Sequence, residues 1–351
     1  MACIEKCPKQ CIKIEDSLET FNAVIDESKC INCNLCKKIC PNVNKVKKFN
    51  PLLWYQGWAK DSIRKQGSSG GIASSIICNF IKNGGYVASC IYEDKEFRFE
   101  VTNDIQKAKK FAGSKYVKSN PNGIYSKIEK ILKDNKVLFI GLPCQVAGLL
   151  NTIKNKQNLY TIDLICHGTP SQKLLIKFLN EEGINEKNIW NIQFRKKMDF
   201  GIIINESKIR NDKVLDEYTC AFLESVNYTE NCYSCDYAKK ERISDITLGD
   251  SWGSDLKDEE ENGISLVIVQ SEKGKELIDK SELVLKNVNI ENAIKHNHQL
   301  ERPSILTDKR KKYFELIKKG KSIKYATFYV LTKMVMRQKI KNVLKKLKIM
   351  R

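Results

Sequence analysis

Four cysteines between Cys30 and Pro41 follow the pattern C-x2-C-x2-C-x3-C-P, in the segment CINCNLCKKICP. This spacing is typical of bacterial 4Fe–4S clusters, in which each iron takes one thiolate. Cys30, Cys33 and Cys36 can bind three irons of one cubane, whereas Cys40 is expected to bind a neighbouring cluster. A structural zinc site would instead have two cysteine pairs separated by roughly 12–20 residues. The spacing therefore favours an iron–sulfur cluster over zinc.

Part of a second motif lies at the start of the chain. The segment Cys3-x3-Cys7-Pro8 matches the end of a ferredoxin motif. In two-cluster ferredoxins the ligands are crossed, so Cys7 should complete the first cluster and Cys3 should join Cys40. The two cysteines expected before Cys3 are missing, so we expect the partner cluster to be incomplete and the natural start to lie upstream. Cys11 is at a spacer position, where we expect a buried small residue.

The composition favours a cytoplasmic metalloprotein. The chain has 14 cysteines, and its first residues, MACIEKCPKQ, contain no apolar signal segment. Cysteines in such a chain are expected to be metal ligands rather than disulfides. With 351 residues, the chain should form more than one unit. We predict an iron–sulfur module at 1–50, a central domain at 51–305 and a basic helical tail at 306–351.

Apolar runs alternate with helical segments in the central domain. The predicted strand Val137–Gly141 leads to Cys144, and the predicted strand Leu159–Ile165 leads to Cys166. This alternation is typical of an α/β fold with a parallel sheet. Ligands of such sheets bind at the carboxyl ends of the strands, so both cysteines lie where a site is expected.

Two further cysteines, Cys232 and Cys235, form a C-x2-C pair. Together with Cys144 and Cys166 they supply four thiolates, enough for one metal centre. A dispersed set of four cysteines also suits zinc. The residues alone therefore leave both a cluster and a zinc ion open here.

Two polar loops are candidates for binding phosphate. The segment RKQGSSGGIASS opens an apolar helix, and FAGSKYVKS forms a second loop in which Lys115 is available for a phosphate. Backbone N–H groups at such a helix start can bind an anion. Neither loop is a Walker motif or a G-x-G-x-x-G motif, so each signal alone is weak. The candidate binding residues are Ser68, Ser69, Gly70, Gly71, Ser114, Lys115 and Tyr116.

The tail is strongly basic. Sixteen Lys and Arg residues and one acid, Glu315, lie between Lys309 and Arg351, which accounts for most of the net charge of +19. The apolar run Tyr325–Met336 is shorter than the roughly 20 residues that span a bilayer. An exposed helix packed on a partner is the simplest interpretation, followed by an amphipathic helix on an anionic membrane surface. Nucleic acid ranks last, because no base-reading motif is present.

Several motifs follow one another in a recognisable order: SSGGIAS, GSKYVKS, GLPCQVAGL, DLICHGTPS, NCYSC, RISDITLGDSWG and NGISLVIV. From about Trp54 to Ser304 the chain resembles the coenzyme F420 hydrogenase/dehydrogenase beta-subunit family. The resemblance implies a ferredoxin-like α+β iron–sulfur module fused to a mixed α/β flavin domain. It also implies that Cys144, Cys166, Cys232 and Cys235 bind a cluster and that the two polar loops contact FAD.

The function implied by the resemblance is electron relay. Electrons would pass between a donor such as ferredoxin, the 4Fe–4S clusters, FAD and a small organic substrate or an F420-type deazaflavin. Two clusters are expected, and a third if the N-terminus extends further. The alternatives are an electron carrier without flavin, and a disulfide reductase in which Cys220 lies near Cys232. Arg242, Asp245 and Asp250 are assigned to a structural turn or to the rim of the substrate pocket.

Overall fold

The structure, a computed structural model, describes residues 1–347. The strands are β1 (Ile12–Asp16), β2 (Phe21–Ile25), β3 (Leu53–Ala59), β4 (Tyr86–Glu93), β5 (Glu96–Thr102), β6 (Val137–Gly141), β7 (Leu159–Leu164), β8 (Ile192–Lys196), β9 (Asp199–Ile204), β10 (Ser207–Lys208), β11 (Ile246–Asp250), β12 (Ser265–Val269) and β13 (Leu283–Asn287). The helices are α1 (Ala2–Glu5), α2 (Leu35–Ile39), α3 (Asp61–Arg64), α4 (Ile72–Lys82), α5 (Ile105–Ala108), α6 (Ile124–Ile131), α7 (Pro143–Thr152), α8 (Gln172–Glu181), α9 (Glu217–Leu223), α10 (Glu272–Asp279), α11 (Ile290–His296), α12 (Asp308–Lys318), α13 (Ile323–Val330) and α14 (Thr332–Lys346).

A mixed sheet organises the central domain. Its eight strands follow the order β13-β3-β12-β11-β7-β6-β4-β5. The four neighbours β11, β7, β6 and β4 are parallel, whereas β5, β12, β3 and β13 run antiparallel to their neighbours. The predicted α/β fold is confirmed, but the predicted parallel sheet is correct only for its centre.

The connection between β4 and β5 explains one antiparallel edge. Only Asp94 and Lys95 join the two strands, and both have positive φ, 52° and 65°. Such a two-residue turn closes a hairpin. A parallel connection needs a crossover of about a dozen residues or more, so this turn forces the antiparallel arrangement.

Helices cover both faces of the sheet, so its central strand β6 is apolar throughout. All five residues of β6 are buried. Leu138 and Ile140 pack with α4 and α10 on one face, whereas Val137 and Phe139 pack with α6 and α7 on the other. Successive side chains of a strand point to opposite faces, which explains the continuous apolar run in the sequence.

The N-terminal module docks on the central domain through its carboxylates. The Glu5 carboxylate accepts hydrogen bonds from the N–H groups of Gly123 at 2.7 Å and Ser126 at 2.8 Å, at the start of α6. Asp16 accepts one from the Ser171 hydroxyl at 2.7 Å, at the start of α8. Carboxylates are favourable at helix N-termini because the first N–H groups are free and the helix dipole is positive there.

The described part of the tail is not one free helix. Tyr313 and Phe314 of α12 and Ile323 of α13 are buried in the same core as α8 and α9. The predicted apolar run Tyr325–Met336 is interrupted at Leu331, which separates α13 from α14. The predicted helical tail therefore packs on this chain at α12 and α13, because their apolar faces complete a core with α8 and α9. None of the helices within residues 1–347 is long and apolar enough to cross a membrane.

Candidate iron–sulfur and flavin site

The carboxyl ends of three parallel strands define the edge of the sheet where the predicted site lies. Cys144 follows β6 in the first turn of α7, Cys166 follows β7, and Asp250 ends β11. Pro143 occupies the first position of α7, where a missing N–H costs nothing. The Gln145 side chain accepts from the Leu142 N–H at 2.8 Å and donates to the Ser119 hydroxyl at 2.9 Å, which fixes the helix start that carries Cys144.

The four predicted ligands converge at this edge. Burial raises the pKa of Cys166, and the neighbouring sulfurs of Cys232, Cys144 and Cys235 raise it further. Burial also raises the pKa of Cys235 to about 11, with Cys144 as the next cause. These mutual effects require the four sulfurs to be near one another. The structure thus brings the four residues together, and their role as ligands stays a prediction.

Lys118 lies among these sulfurs. Burial alone would lower the pKa of Lys118, but Cys232, Cys144, Cys166 and Cys235 together raise it. The Lys118 ammonium is 3.4 Å from the Thr229 hydroxyl, which is itself 3.4 Å from Cys232 Sγ. A buried cation among four sulfurs favours an anionic centre at this place.

Cys232 differs from the other three cysteines. Burial would raise its pKa, but Lys118, the Thr229 hydroxyl and the Thr169 N–H hold it below the ordinary value. The Thr169 N–H is 3.4 Å from Cys232 Sγ. Cys232 is therefore the thiol of this set that is most readily a thiolate, the form that binds metal.

The four cysteines differ in exposure. Cys144 is exposed, whereas Cys166, Cys232 and Cys235 are half-buried. Across residues 1–347, no three His, Cys, Asp or Glu side chains are arranged around a single metal ion. A cubane takes each thiolate on a different iron, so its ligands stand further apart than those of one ion. An all-sulfur donor set beside the half-buried ammonium of Lys118 fits such a cluster.

The cysteines of the N-terminal module lie in two neighbouring groups, and their crossed roles as ligands stay a prediction. Cys11 Sγ is 3.4 Å from Cys7 Sγ, and Cys7 and then Cys30 raise the pKa of Cys11 to about 11. Burial raises the pKa of Cys3, and Cys40 raises it as well. Cys7 and Cys30 therefore both lie near Cys11, and Cys3 lies near Cys40. Cys11 is buried as predicted, but its sulfur lies next to a predicted ligand.

Tyr237 lies between the two cysteine sets. Its hydroxyl donates to the carbonyl of Pro41 at 3.4 Å, immediately after Cys40. Burial raises the pKa of Tyr237, and Cys144, Cys235 and Cys40 are among the other causes. The Cys40 end of the N-terminal cysteine motif therefore faces the four cysteines at the edge of the sheet.

The two predicted phosphate loops also meet. The Ser114 N–H donates to the Ser68 hydroxyl at 2.8 Å. Arg195 donates to the Ser68 carbonyl at 2.6 Å and to the Tyr116 hydroxyl at 3.2 Å. Its guanidinium also forms a bidentate pair with Asp250 at 2.7 and 2.8 Å, so both loops are joined to the end of β11.

Most polar groups of the Ser68–Gly71 loop are already used within the protein. Ser69 donates its hydroxyl to the Ile264 carbonyl at 2.9 Å, and the Gly70 N–H donates to the Ser265 hydroxyl at 3.0 Å. A Cβ at Gly70 would lie 2.4 Å from the carbonyl oxygen of Gly57, so only glycine fits. Gly71 caps α4 with a φ of 80° and provides no side chain to the first N–H groups of the helix.

Lys115 is not a free cation in this structure. Its ammonium donates to the carbonyls of Phe111 and Ala112, both at 2.8 Å, and burial lowers its pKa to about 8. Besides Arg195, Lys197 reaches the first loop, where it donates to the carbonyl of Ser69 at 2.7 Å and to that of Arg64. Burial, followed by the two nearby arginines, lowers the pKa of Lys197 to about 8.

Two buried polar atoms at this site have no hydrogen-bond partner. They are Arg195 Nε and Gln299 Oε1. The Gln299 amide nitrogen is 2.7 Å from Nδ1 of His167, and burial lowers the pKa of that imidazole to about 4. Buried atoms of this kind are rare in native proteins and indicate a place for a further polar group. The residues thus fit a polar cofactor beside the two loops.

Arg195 and Lys197 escaped the sequence analysis, and His167 stood there only within the motif DLICHGTPS, without a role. The only signal was the charged run RKK at the end of β8, which resembles any exposed strand end. Arg242 proves to be structural, because its guanidinium forms a buried pair with Asp163 at 2.7 Å. Cys220 packs in the core of α9, where burial raises its pKa, so it lacks the reactive thiolate that a disulfide reductase needs.

Comparisons with known proteins agree with this arrangement. Residues 134–292 match the family model for the C-terminal part of the coenzyme F420 hydrogenase/dehydrogenase beta subunit. Residues 23–43 match a 4Fe-4S binding domain. The fold and these matches define an iron–sulfur redox protein of mixed α/β architecture. The two matches support membership of the coenzyme F420 hydrogenase/dehydrogenase beta-subunit family, with a 4Fe–4S domain near the N-terminus.

A solved structure has a similar fold. It is a chain of the F420-reducing [NiFe] hydrogenase complex from Methanosarcina barkeri, with a TM-score of 0.56 and 18% sequence identity. The similarity covers 72% of this chain and 90% of that chain. A search of curated proteins gave no match.

Proposed function

We propose that the protein is a flavin-dependent oxidoreductase that relays electrons between an iron–sulfur donor such as ferredoxin and a small organic substrate. The observation that carries the proposal is the meeting of three features at one sheet edge. These are the four cysteines around Lys118, the two polar loops, and the Arg195–Asp250 pair that joins the loops. An F420-type deazaflavin is one candidate substrate, in keeping with the family.

A bound FAD would supply the conversion between single electrons and a hydride, and the protein would set its position. Lys197 and the uncapped start of α4 provide positive potential beside the Ser68–Gly71 loop, where a diphosphate would be favoured. Arg195 keeps its charge because Asp250 and Tyr116 offset the effect of burial on its pKa. Its unpartnered Nε can donate to a carbonyl or phosphate oxygen.

The two cysteine sets would hold the clusters of the relay. Cys7, Cys30, Cys33 and Cys36 would hold one, and Cys144, Cys166, Cys232 and Cys235 the other. The contact between Tyr237 and Pro41 keeps the two sets on adjoining surfaces. His167 would remain neutral at physiological pH, because burial lowers its pKa to about 4. It therefore serves as a hydrogen-bond acceptor rather than as a general acid.

The test is to measure FAD in protein purified without oxygen, by heat denaturation and analysis of the supernatant. Wild type should release FAD. Lys197→Met should bind it about 10- to 100-fold more weakly, because the Ser68–Gly71 loop loses the charge-assisted hydrogen bond to the Ser69 carbonyl that holds it in place. Lys196→Met is the matched control, since Lys196 is the adjacent residue and is exposed.

Absence of FAD after reconstitution with excess flavin would refute the flavoenzyme proposal and favour a carrier that uses clusters alone. Once FAD is found, reduced ferredoxin, NADH and a reduced deazaflavin are compared as donors by bleaching of the flavin absorbance. If none of the three donors bleached the flavin absorbance, the result would contradict the proposed relay.

A further inference from the structure

Helix α14 carries an exposed apolar stripe. Met336, Ile340 and Val343 are 43%, 55% and 53% exposed, and Leu347 directly after the helix is 63% exposed. Their spacing of four, three and four residues places them on one side of an α-helix. Single exposed apolar residues are common, but three in one line on one helix, continued by a fourth directly after it, are not explained by chance exposure.

Basic residues flank this stripe on both sides. Lys333 and Arg337 follow one side of the helix, and Lys339 follows the other, as the helical repeat of 3.6 residues dictates. The sequence of α14 contains six Lys and Arg residues and no Asp or Glu. This surface is therefore both apolar and positively charged.

The opposite side of α14 is fixed to the chain. Val335 is buried in the core, the Gln338 side chain accepts from the Leu215 N–H at 3.1 Å, and the Asn342 side chain accepts from Asn211 at 2.9 Å. A partner whose groove encloses a whole helix cannot bind α14, because one side of this helix is already packed on the chain. Only a partner that contacts one side, such as a flat surface, can cover the stripe.

We propose that this side of α14 binds the surface of an anionic lipid bilayer, with the apolar stripe at the level of the headgroups. Helices with an apolar stripe between basic residues lie in the membrane interface in this way. A second copy of the chain would bring two acid-free basic helices together, and like charges repel. A nucleic acid would use the charges but leave the stripe exposed to water. The inference does not depend on the proposed redox function.

The test is sedimentation of the complete protein with vesicles of equimolar phosphatidylglycerol and phosphatidylcholine. Surface variants are used because removal of the tail would also remove α12 and α13 from the core. Wild type should sediment with these vesicles and stay in solution with pure phosphatidylcholine. The double variant Ile340→Gln/Val343→Gln should partition at least about tenfold more weakly, because it loses the apolar contact.

Matched controls separate the stripe and its charges from general surface properties. Ile305→Gln/Leu306→Gln removes two exposed apolar residues elsewhere and should sediment like wild type. Lys333→Gln/Lys339→Gln should weaken binding, whereas Lys107→Gln/Lys133→Gln, with the same net charge, should not.

Three results would overturn the proposal. They are failure of wild type to sediment with anionic vesicles, equal sedimentation of the stripe variant and wild type, and equal effects of the two lysine pairs. If the stripe variant kept full binding to the vesicles and to a DNA duplex while the Lys333/Lys339 variant lost both, the surface would be a nucleic-acid site instead.

Discussion

The buried pair of Asp163 and Arg242 holds the end of β7 against the loop that carries Cys235. Asp163 is fully buried and Arg242 is 2% exposed. Arg242 donates to Asp163 Oδ1 from Nε at 3.2 Å and from Nη2 at 2.7 Å, and its Nη1 donates to the Tyr237 carbonyl at 2.7 Å. The Ser244 hydroxyl donates to Asp163 Oδ2 at 2.9 Å.

We predict that Arg242→Met lowers the free energy of unfolding by about 3–5 kcal/mol, the usual cost of removing one partner of a buried ion pair. The variant leaves the carboxylate without water and with the Ser244 hydroxyl as its remaining side-chain donor. The Tyr237 carbonyl also loses a donor, and an unsatisfied buried group costs about 1–3 kcal/mol. Adding Asp163→Asn to this variant should cost less than the sum of the two single changes, since the residues are coupled.

The assay is urea unfolding of anaerobic holoprotein, followed by circular dichroism. Arg98→Met is the control, because the Arg98 pairs with Glu93 and Glu100 are about one-third exposed and should contribute only about 0–1 kcal/mol. If Arg242→Met lost no more stability than Arg98→Met, the argument from burial would be refuted. Additive single and double variants would show that the pair does not act as a unit.

Two further outcomes are expected from the site. The holoprotein should contain about eight irons, and Cys232→Ser should remove about four of them while Cys90→Ser removes none; equal losses would show that the ligands are misassigned. For Lys197, the pKa is about 8 in the fold and 10.5 ordinarily. The free-energy cost of holding charged Lys197 in the folded protein is therefore fully present below pH 8. The free energy of unfolding should rise from about pH 8 to 10.5, because the unfolded chain binds more protons than the folded one in this range. Lys197→Met should reduce that slope by roughly one proton relative to Lys196→Met, and unchanged slopes in denaturant titrations across this range would contradict the assignment.

Local spacing explains why part of the site could be predicted from the sequence. The predicted ligands Cys30, Cys33 and Cys36 are recognised by their short spacing, and the strand Val137–Gly141 is recognised by a continuous apolar run. The meeting of Arg195 with Asp250 depends instead on the packing of β8 against the main sheet, 55 residues apart in sequence. No local pattern encodes such a contact.

The tail shows the same limit. The apolar residues of α12 and α13 have the spacing of any amphipathic helix, so the sequence alone could not tell packing on this chain from packing on another molecule. Arg310 illustrates the point: its guanidinium is buried and donates to Glu19 of the N-terminal module at 3.1 Å. The two residues are 291 positions apart in the sequence, and only the folding of the chain brings them together.

The docking of Glu5 and Asp16 at the starts of α6 and α8, together with Glu19 on Arg310, has a kinetic consequence. A small carrier domain on a flexible tether can swing between donor and acceptor, and its rate is then limited by diffusion of the tether. Here three carboxylates attach the module to three helices of the body, so the separation of the two cysteine sets is a constant of the folded chain. In the proposed relay, electrons would tunnel between the two sets over one fixed gap, and the rate should be insensitive to solvent viscosity.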